Sequence, residues 1–235
     1  MTRVVAIHQP NFFPWLGYFD KIIRSDIFVL FDDVQYPKTG GAWSNRVKLL
    51  VAGETRWVTA AIDRNYHGTR TIREMNFLEK NPWREKILKT IEANYGRHPH
   101  YRECMNVVEP LLLNQEQNIA AYNIYAIDAL CRALGIDAEK LKISSALAHT
   151  GSSNELLCSI THGVDGDVYM CGGGADGYQD TSVFVSAGIG LRHQAFAHPV
   201  YPQYRSPDFV PGLSVIDAAM NLGWSATAKL LEHPR

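Results

Sequence analysis

The sequence predicts one α/β domain over residues 1–235, a mostly parallel sheet with helices on both faces, an inserted β-hairpin over 43–77 and a helical segment over 81–135. Three observations predict it. Val4–Ile7 and Ile27–Phe31 are short unbroken apolar runs, as strands covered on both faces are, and a helix-length stretch separates them. The same alternation of strand and helix resumes after Asn154. With 46% of its side chains apolar, the chain can bury one substantial core, and it shows neither an internal repeat nor a low-complexity segment.

The elements follow in order. Leu16–Arg24 places Phe19, Ile22 and Ile23 on one helical face, so the first two strands are joined by a right-handed crossover. In SNRVKLLVAGETRWVTAAI, Ala52-Gly53-Glu54 separates Val47–Val51 from Thr55–Ile62, a hairpin signal, with Asn65–Thr69 as the next turn. Asn81 as cap and Pro82 in the first turn open a helix that runs to Gly96. A second helix covers Tyr101–Leu113, and a third runs from about Ile119 to Leu134 and stops at Gly135, followed by a strand-like approach to Ile143-Ser144-Ser145. Then come a helix at Leu156–His162, a strand at Val168–Cys171, the loop GGGADG, a helix at Thr181–Ala187 and a strand at Leu191–Phe196. A helix at Ser214–Leu222, closed by Gly223, and one more short helix precede the tail.

Composition narrows the partners. With 23 basic and 24 acidic side chains and a formal charge of −1, the chain carries no nucleic-acid footprint and no polybasic anchor. An N-terminal apolar stretch of only four residues is neither a signal peptide nor a membrane span, which predicts a cytoplasmic protein. Cys104, Cys131, Cys158 and Cys171 form no CxxC pair, so neither a metal site nor disulfides are expected, and no tightly bound cofactor is called for.

Open parallel sheets bind ligands beyond the carboxyl ends of their strands. His8-Gln9 follows the first strand, Asp32-Asp33 with Gln35 the second, and Gly172–Gly177 a late one. Paired carboxylates beside a histidine supply a general base and hold it in one tautomer, so His8 and Asp33 are the candidate catalytic pair. For either alone, a turn cap or an internal hydrogen bond is the commoner role. CGGGADGYQD contains GxGxxG at Gly172, Gly174 and Gly177, but no acidic residue stands about twenty positions on to meet a ribose, which argues against NAD. What remains is backbone amides near Gly173 that contact an anion or a carbonyl, against a tight turn that simply needs glycine. Cys171 precedes these glycines as a candidate nucleophile or as the last buried residue of its strand. Arg46, Arg64 and Arg70 suit phosphate or carboxylate, and His198, Tyr201 and Gln203 in AHPVYPQY suit a sugar, with plain surface packing the alternative.

Taken together, IHQPNFFPWLGYFDKI, FDDVQY, Asn45-Arg46, the GG…YQD of Gly172–Asp180, HPVYPQY and FVPGLSVID resemble the WbqC-like family, from Ile7 to about Asp217 and in the same order. The resemblance implies a role in making unusual surface sugars, as in O-antigen clusters. The activity it implies is transfer of an acyl or aminoacyl group to the amine of a nucleotide-activated amino sugar. Cys171 stands where serine or another small residue is common in such proteins, which counts against a thiol nucleophile. A more distant resemblance, to the first βαβ unit of nucleotidylyltransferases of Rossmann type, concerns architecture. There Tyr18 occupies the place of the second histidine, and GGGADGYQD would lie near the adenosine end of a nucleotide.

Three functions are thereby expected in order of preference. The first is N-acyl transfer from a thioester on coenzyme A or on an acyl or peptidyl carrier protein, with His8 as base, Asp33 orienting it, Gly173 amides on the oxyanion, and Arg46 and Arg64 on the diphosphate. Gln9, Tyr18, Asp32, Gln35, Gly172, Tyr178, His198, Tyr201 and Gln203 complete the expected substrate contacts. The second is nucleotidyl transfer or ATP-dependent acyl activation, and the third is non-catalytic binding of a sugar nucleotide or glycan intermediate.

Overall fold

A computed structural model describes residues 2–172 and 179–232. The chain divides into two compact units: Met1–Gln9, Gly17–Asp33 and Ala138–Ala197 form one, and Pro10–Leu16, Val34–Asp137 and His198–Arg235 the other.

The first unit holds β1 (Val4–His8), most of α1 (Leu16–Ile23), β2 (Ile27–Leu30), β5 (Leu141–Ile143), α5 (Ser153–Gly163), β6 (Val168–Cys171), α6 (Thr181–Ser186) and β7 (Gly190–His193). Its five strands lie in the order β5-β2-β1-β6-β7 and every pairing is parallel. The α/β class expected from sequence is what is found. Taken in chain order the strands run third, second, first, fourth, fifth, so the winding reverses between β1 and β6, the place where doubly wound sheets bind ligands.

Burial explains why these runs are strands. Val5, Ile7, Val29, Tyr169 and Cys171 pack with Ile160 of α5, Phe184 of α6 and Ile189 in one apolar cluster, and Val4 and Ala6 on the other side of β1 are buried as well. Gly166 is required by close approach: a Cβ there would stand 2.3 Å from Val5 Cγ2. Lys140 caps the end of α1 and the turn after it, its Nζ donating to Ile22 O and Ser25 O at 3.1 and 2.8 Å. β7 ends at His193 rather than running on to Phe196. Beyond it, Gln194 turns inward to donate to Gly17 O (2.7 Å) and Asp20 Oδ2 (2.6 Å), and Phe196 packs so closely on Gly17 that a Cβ there would meet it at 2.8 Å.

The second unit holds the antiparallel hairpin β3 (Arg46–Val51) and β4 (Glu54–Thr59), the helices α2 (Trp83–Tyr95), α3 (Tyr101–Leu113) and α4 (Ile119–Ala133), and α7 (Val215–Leu222) and α8 (Trp224–Lys229). Pro82, not Asn81, occupies the cap position of α2. The aromatic loop after β1 belongs to this core: Phe12 stacks on Tyr122 at 5.9 Å and meets Trp83 edge-on at 6.0 Å. Its backbone is pinned by Asn123, which donates to Pro10 O and Ser44 O, by Phe12 N donating to Trp43 O, and by Ser214 Oγ donating to Phe13 O. These bonds hold Phe13 at φ 43°, a left-handed conformation that costs a bulky residue about 1–2 kcal/mol.

Candidate active site

Parallel pairing places the ends of β1, β2 and β5 side by side, with His8 opposite Leu30 and Leu30 opposite Ile143. β2 therefore delivers Asp32-Asp33 beside Ser144-Ser145, which open a short 3-10 turn after β5. The two neighbouring aspartates have opposite fates. Asp32 is buried; its Oδ1 accepts from Ser145 N at 3.0 Å and Ser144 Oγ at 2.9 Å, and its Oδ2 from Ser145 Oγ at 2.7 Å. Its lone pairs serve the turn, not a substrate. Asp33 is part-exposed: Ser144 Oγ reaches its Oδ1, and its Oδ2 lies 2.9 Å from Nε2 of His149.

A carboxylate only accepts, so a neutral His149 in this pair is protonated at Nε2 and carries its lone pair on Nδ1. The side chains of His149 and Asp33 keep 17% and 18% of their exposure, which leaves the pair open to a ligand. The sequence pairs Asp33 with His8; in the structure the imidazole hydrogen-bonded to Asp33 belongs to His149. Among the described residues no hydrogen bond joins Asp33 to His8.

His8 sits one strand over, in another electrostatic setting. Its Nδ1 lies 3.1 Å from Gln9 O, an acceptor, so Nδ1 carries the proton and Nε2 the lone pair. Tyr18 packs edge-on against the ring at 4.9 Å, and its hydroxyl donates to the same Gln9 carbonyl at 3.0 Å. Burial, then the charge of Lys21, push the His8 pKa down to about 3, with the Gln9 carbonyl opposing. His8 is therefore a neutral hydrogen-bonding group at neutral pH and a weak base, and Tyr18 is a buried support for it. Lys21 itself is buried on α1 with Nζ donating to Ile7 O at 3.1 Å; burial lowers its pKa to about 8, against the influence of Cys171. Most of its charge survives at pH 7, which fixes a cation behind the end of β1.

The remaining expected residues fall into three groups. Gly173 and Tyr178 lie outside the described residues. Gly172 directly follows β6, with no positive φ and with room for a Cβ, whose nearest neighbour would be Gln194 Oε1 at 3.9 Å. Cys171 is fully buried with Sγ 3.3 Å from Nδ1 of His193 and 3.4 Å from Arg192 O.

In the second unit, the Arg64 guanidinium donates to Lys38 O and Gly40 O at 2.8 and 2.7 Å, so it organises a loop instead of standing ready for a diphosphate. Arg46 stacks on Trp57 at 4.1 Å, and Gln35 is exposed with its backbone bridged to Thr71. His198 lies edge-on to Trp15 at 6.2 Å. Tyr201 and Gln203 are buried, not sugar-facing: both donate to Asp217 Oδ2, at 2.7 and 3.1 Å, while Tyr95 donates to Oδ1 at 2.8 Å. Burial raises the pKa of this carboxyl, and the same three donors oppose the rise.

His149, Ser144 and Lys21 are the residues sequence reasoning missed. The available signal was position alone, since Ser144 and His149 follow a strand end beside two aspartates. β5 has only three residues, two of them exposed, and too little pattern to advertise itself.

The WbqC-like protein family matches residues 9–229, nearly the whole chain. The chain belongs to that family. A relative from Mycobacterium tuberculosis, the uncharacterised protein Rv1507c, is 28% identical over 227 residues, covering 95% of this chain and 96% of its own. No solved structure matches. Among the described residues no helix is long and apolar enough to cross a membrane.

Proposed function

We propose that this member of the WbqC-like family is an N-acyltransferase that moves an acyl or aminoacyl group from a thioester to the amine of a nucleotide-linked amino sugar. The observation that carries the reading is the Asp33–His149 pair, a histidine oriented by a carboxylate at the carboxyl end of a parallel sheet. Attack by the amine forms the C–N bond and a tetrahedral intermediate. His149 Nδ1 takes the amine proton, the C–S bond breaks as the intermediate collapses, and the same proton passes to the departing thiolate. Asp33 stabilises the imidazolium that forms between these steps. Neutral His8, with its Nε2 lone pair, suits a hydroxyl or amine donor of the sugar, and the Lys21 charge favours an anionic or oxyanionic group near the end of β1.

The test is release of free thiol from acyl-coenzyme A or an acyl carrier protein in the presence of UDP-, GDP- or dTDP-amino sugars, alongside thermal shifts with each ligand alone. Turnover with one donor and one acceptor, and a raised melting temperature with each, is the expected result. Stabilisation by ATP–magnesium alone would move the assignment to nucleotidyl transfer.

A further inference from the structure

The second unit contains a cleft of about 550 Å³ between the hairpin turn at Leu50–Gly53, the C-terminal end of α2 and the segment at Tyr204-Arg205. We infer that this cleft binds a phosphate ester of a small polar molecule, with Arg97 and Arg205 gripping the phosphate and His98 beside them.

Three independent features converge there. The volume lies in the range of small-molecule sites, roughly 300–1,000 Å³, larger than a lone ion needs. The charge is unbalanced: the lining carries two guanidiniums against the single carboxylate of Glu92, and among the described residues neither Arg97 nor Arg205 has a carboxylate within ion-pair distance. Arginine's planar fork matches phosphate oxygens, and the cleft offers two.

The third feature is His98. It lines the cleft with only 8% of its surface exposed, its ring held between Tyr95 at 4.6 Å and Tyr204 at 5.0 Å. Neither ring nitrogen has a hydrogen-bond partner, and burial lowers the ring's pKa against the opposing influence of the Tyr95 carbonyl. Buried imidazole nitrogens are seldom left unpaired, because each loses its water without replacement. The ring lines the cleft with both nitrogens closed to solvent, so a turn within the tyrosine clamp is what brings one of them to a phosphate oxygen.

A purely structural account covers part of this. Arg97 follows the end of α2, where a cation complements the helix dipole. That role explains neither the unpaired His98 nor Arg205, which lies over the Tyr204 ring at 5.2 Å.

Binding is read on the full chain by calorimetry and thermal shift, with inorganic phosphate and glucose 1-phosphate as probes and chloride at matched ionic strength as control. Saturable binding of both phosphates is expected, weakened at least tenfold in the double variant Arg97→Gln, Arg205→Gln. His98→Phe keeps a ring between the two tyrosines and removes the unpaired nitrogens, so it should melt higher than wild type without ligand and bind phosphate several-fold more weakly. A response no larger than that to chloride, or equal affinity in wild type and both variants, would overturn the assignment. The readout is affinity, not turnover, so it stands or falls apart from the acyl-transfer reading.

Discussion

Two carboxylates, Asp217 in one compact unit and Asp33 in the other, each gather side-chain hydrogen bonds and serve opposite ends. Asp217 is wholly buried and takes donors from Tyr95, Tyr201 and Gln203, so every partner is spent on the fold. Asp33 shares the single Ser144 hydroxyl proton with Asp32, pairs with one imidazole and keeps part of its surface open. A polar cluster that is saturated and sealed reads as architecture. One that is oriented but open has capacity left for a ligand.

Breaking the sealed network should produce the largest effect on stability. Asp217→Ala leaves two tyrosine hydroxyls and an amide without their acceptor, and should cost on the order of 3–5 kcal/mol in urea unfolding. A cost below about 1 kcal/mol would mean that the network does not hold the fold together.

Lys21 sharpens the contrast from the other side, because a buried cation with one backbone acceptor is a burden to the fold. Lys21→Met should stabilise the protein by about 1–3 kcal/mol at pH 7. The native pKa lies below the unfolded one, so the wild type bears this penalty at neutral pH and loses it as pH rises from about 8 to 10.5; the advantage of methionine should fade over that window. The same variant removes a neighbouring charge, so the His8 ring, followed by NMR, should titrate above its value of about 3.

A smaller effect comes from acid. His8 and His98 stay neutral in the native state below the ordinary histidine pKa of 6.5, while the unfolded chain takes up protons. The stability they allow is complete above pH 6.5 and falls below it by about 1.4 kcal/mol per pH unit for each histidine that remains neutral. His8→Gln should make the slope between pH 6.5 and 5 shallower by about that amount, and an unchanged slope would place the acid sensitivity elsewhere.

How much of this could be read in the sequence depended on whether the signal was local. The run Val4–Ile7, the hairpin turn at Gly53 and the helix stop at Gly135 carry their own patterning, and all appear where expected. Asp33 was legible because two aspartates directly follow an apolar strand. Its partner His149 lies 116 positions away, after a strand of three residues, and no periodicity links them. Tyr201 and Gln203 failed for a related reason. Polar groups in a proline-rich loop look like surface until an aspartate on a later helix is seen to bury them.

Acyl transfer as proposed requires His149 to act as the proton acceptor that Asp33 orients. The most direct measurement is kcat for thiol release by wild type, His149→Ala and Asp33→Asn with the donor and acceptor that support turnover, beside the melting temperature of each. The prediction is a loss of about 10²–10⁴ in kcat for His149→Ala and a smaller loss for Asp33→Asn, with the folded state intact in both. Turnover by His149→Ala within a few-fold of wild type would contradict it.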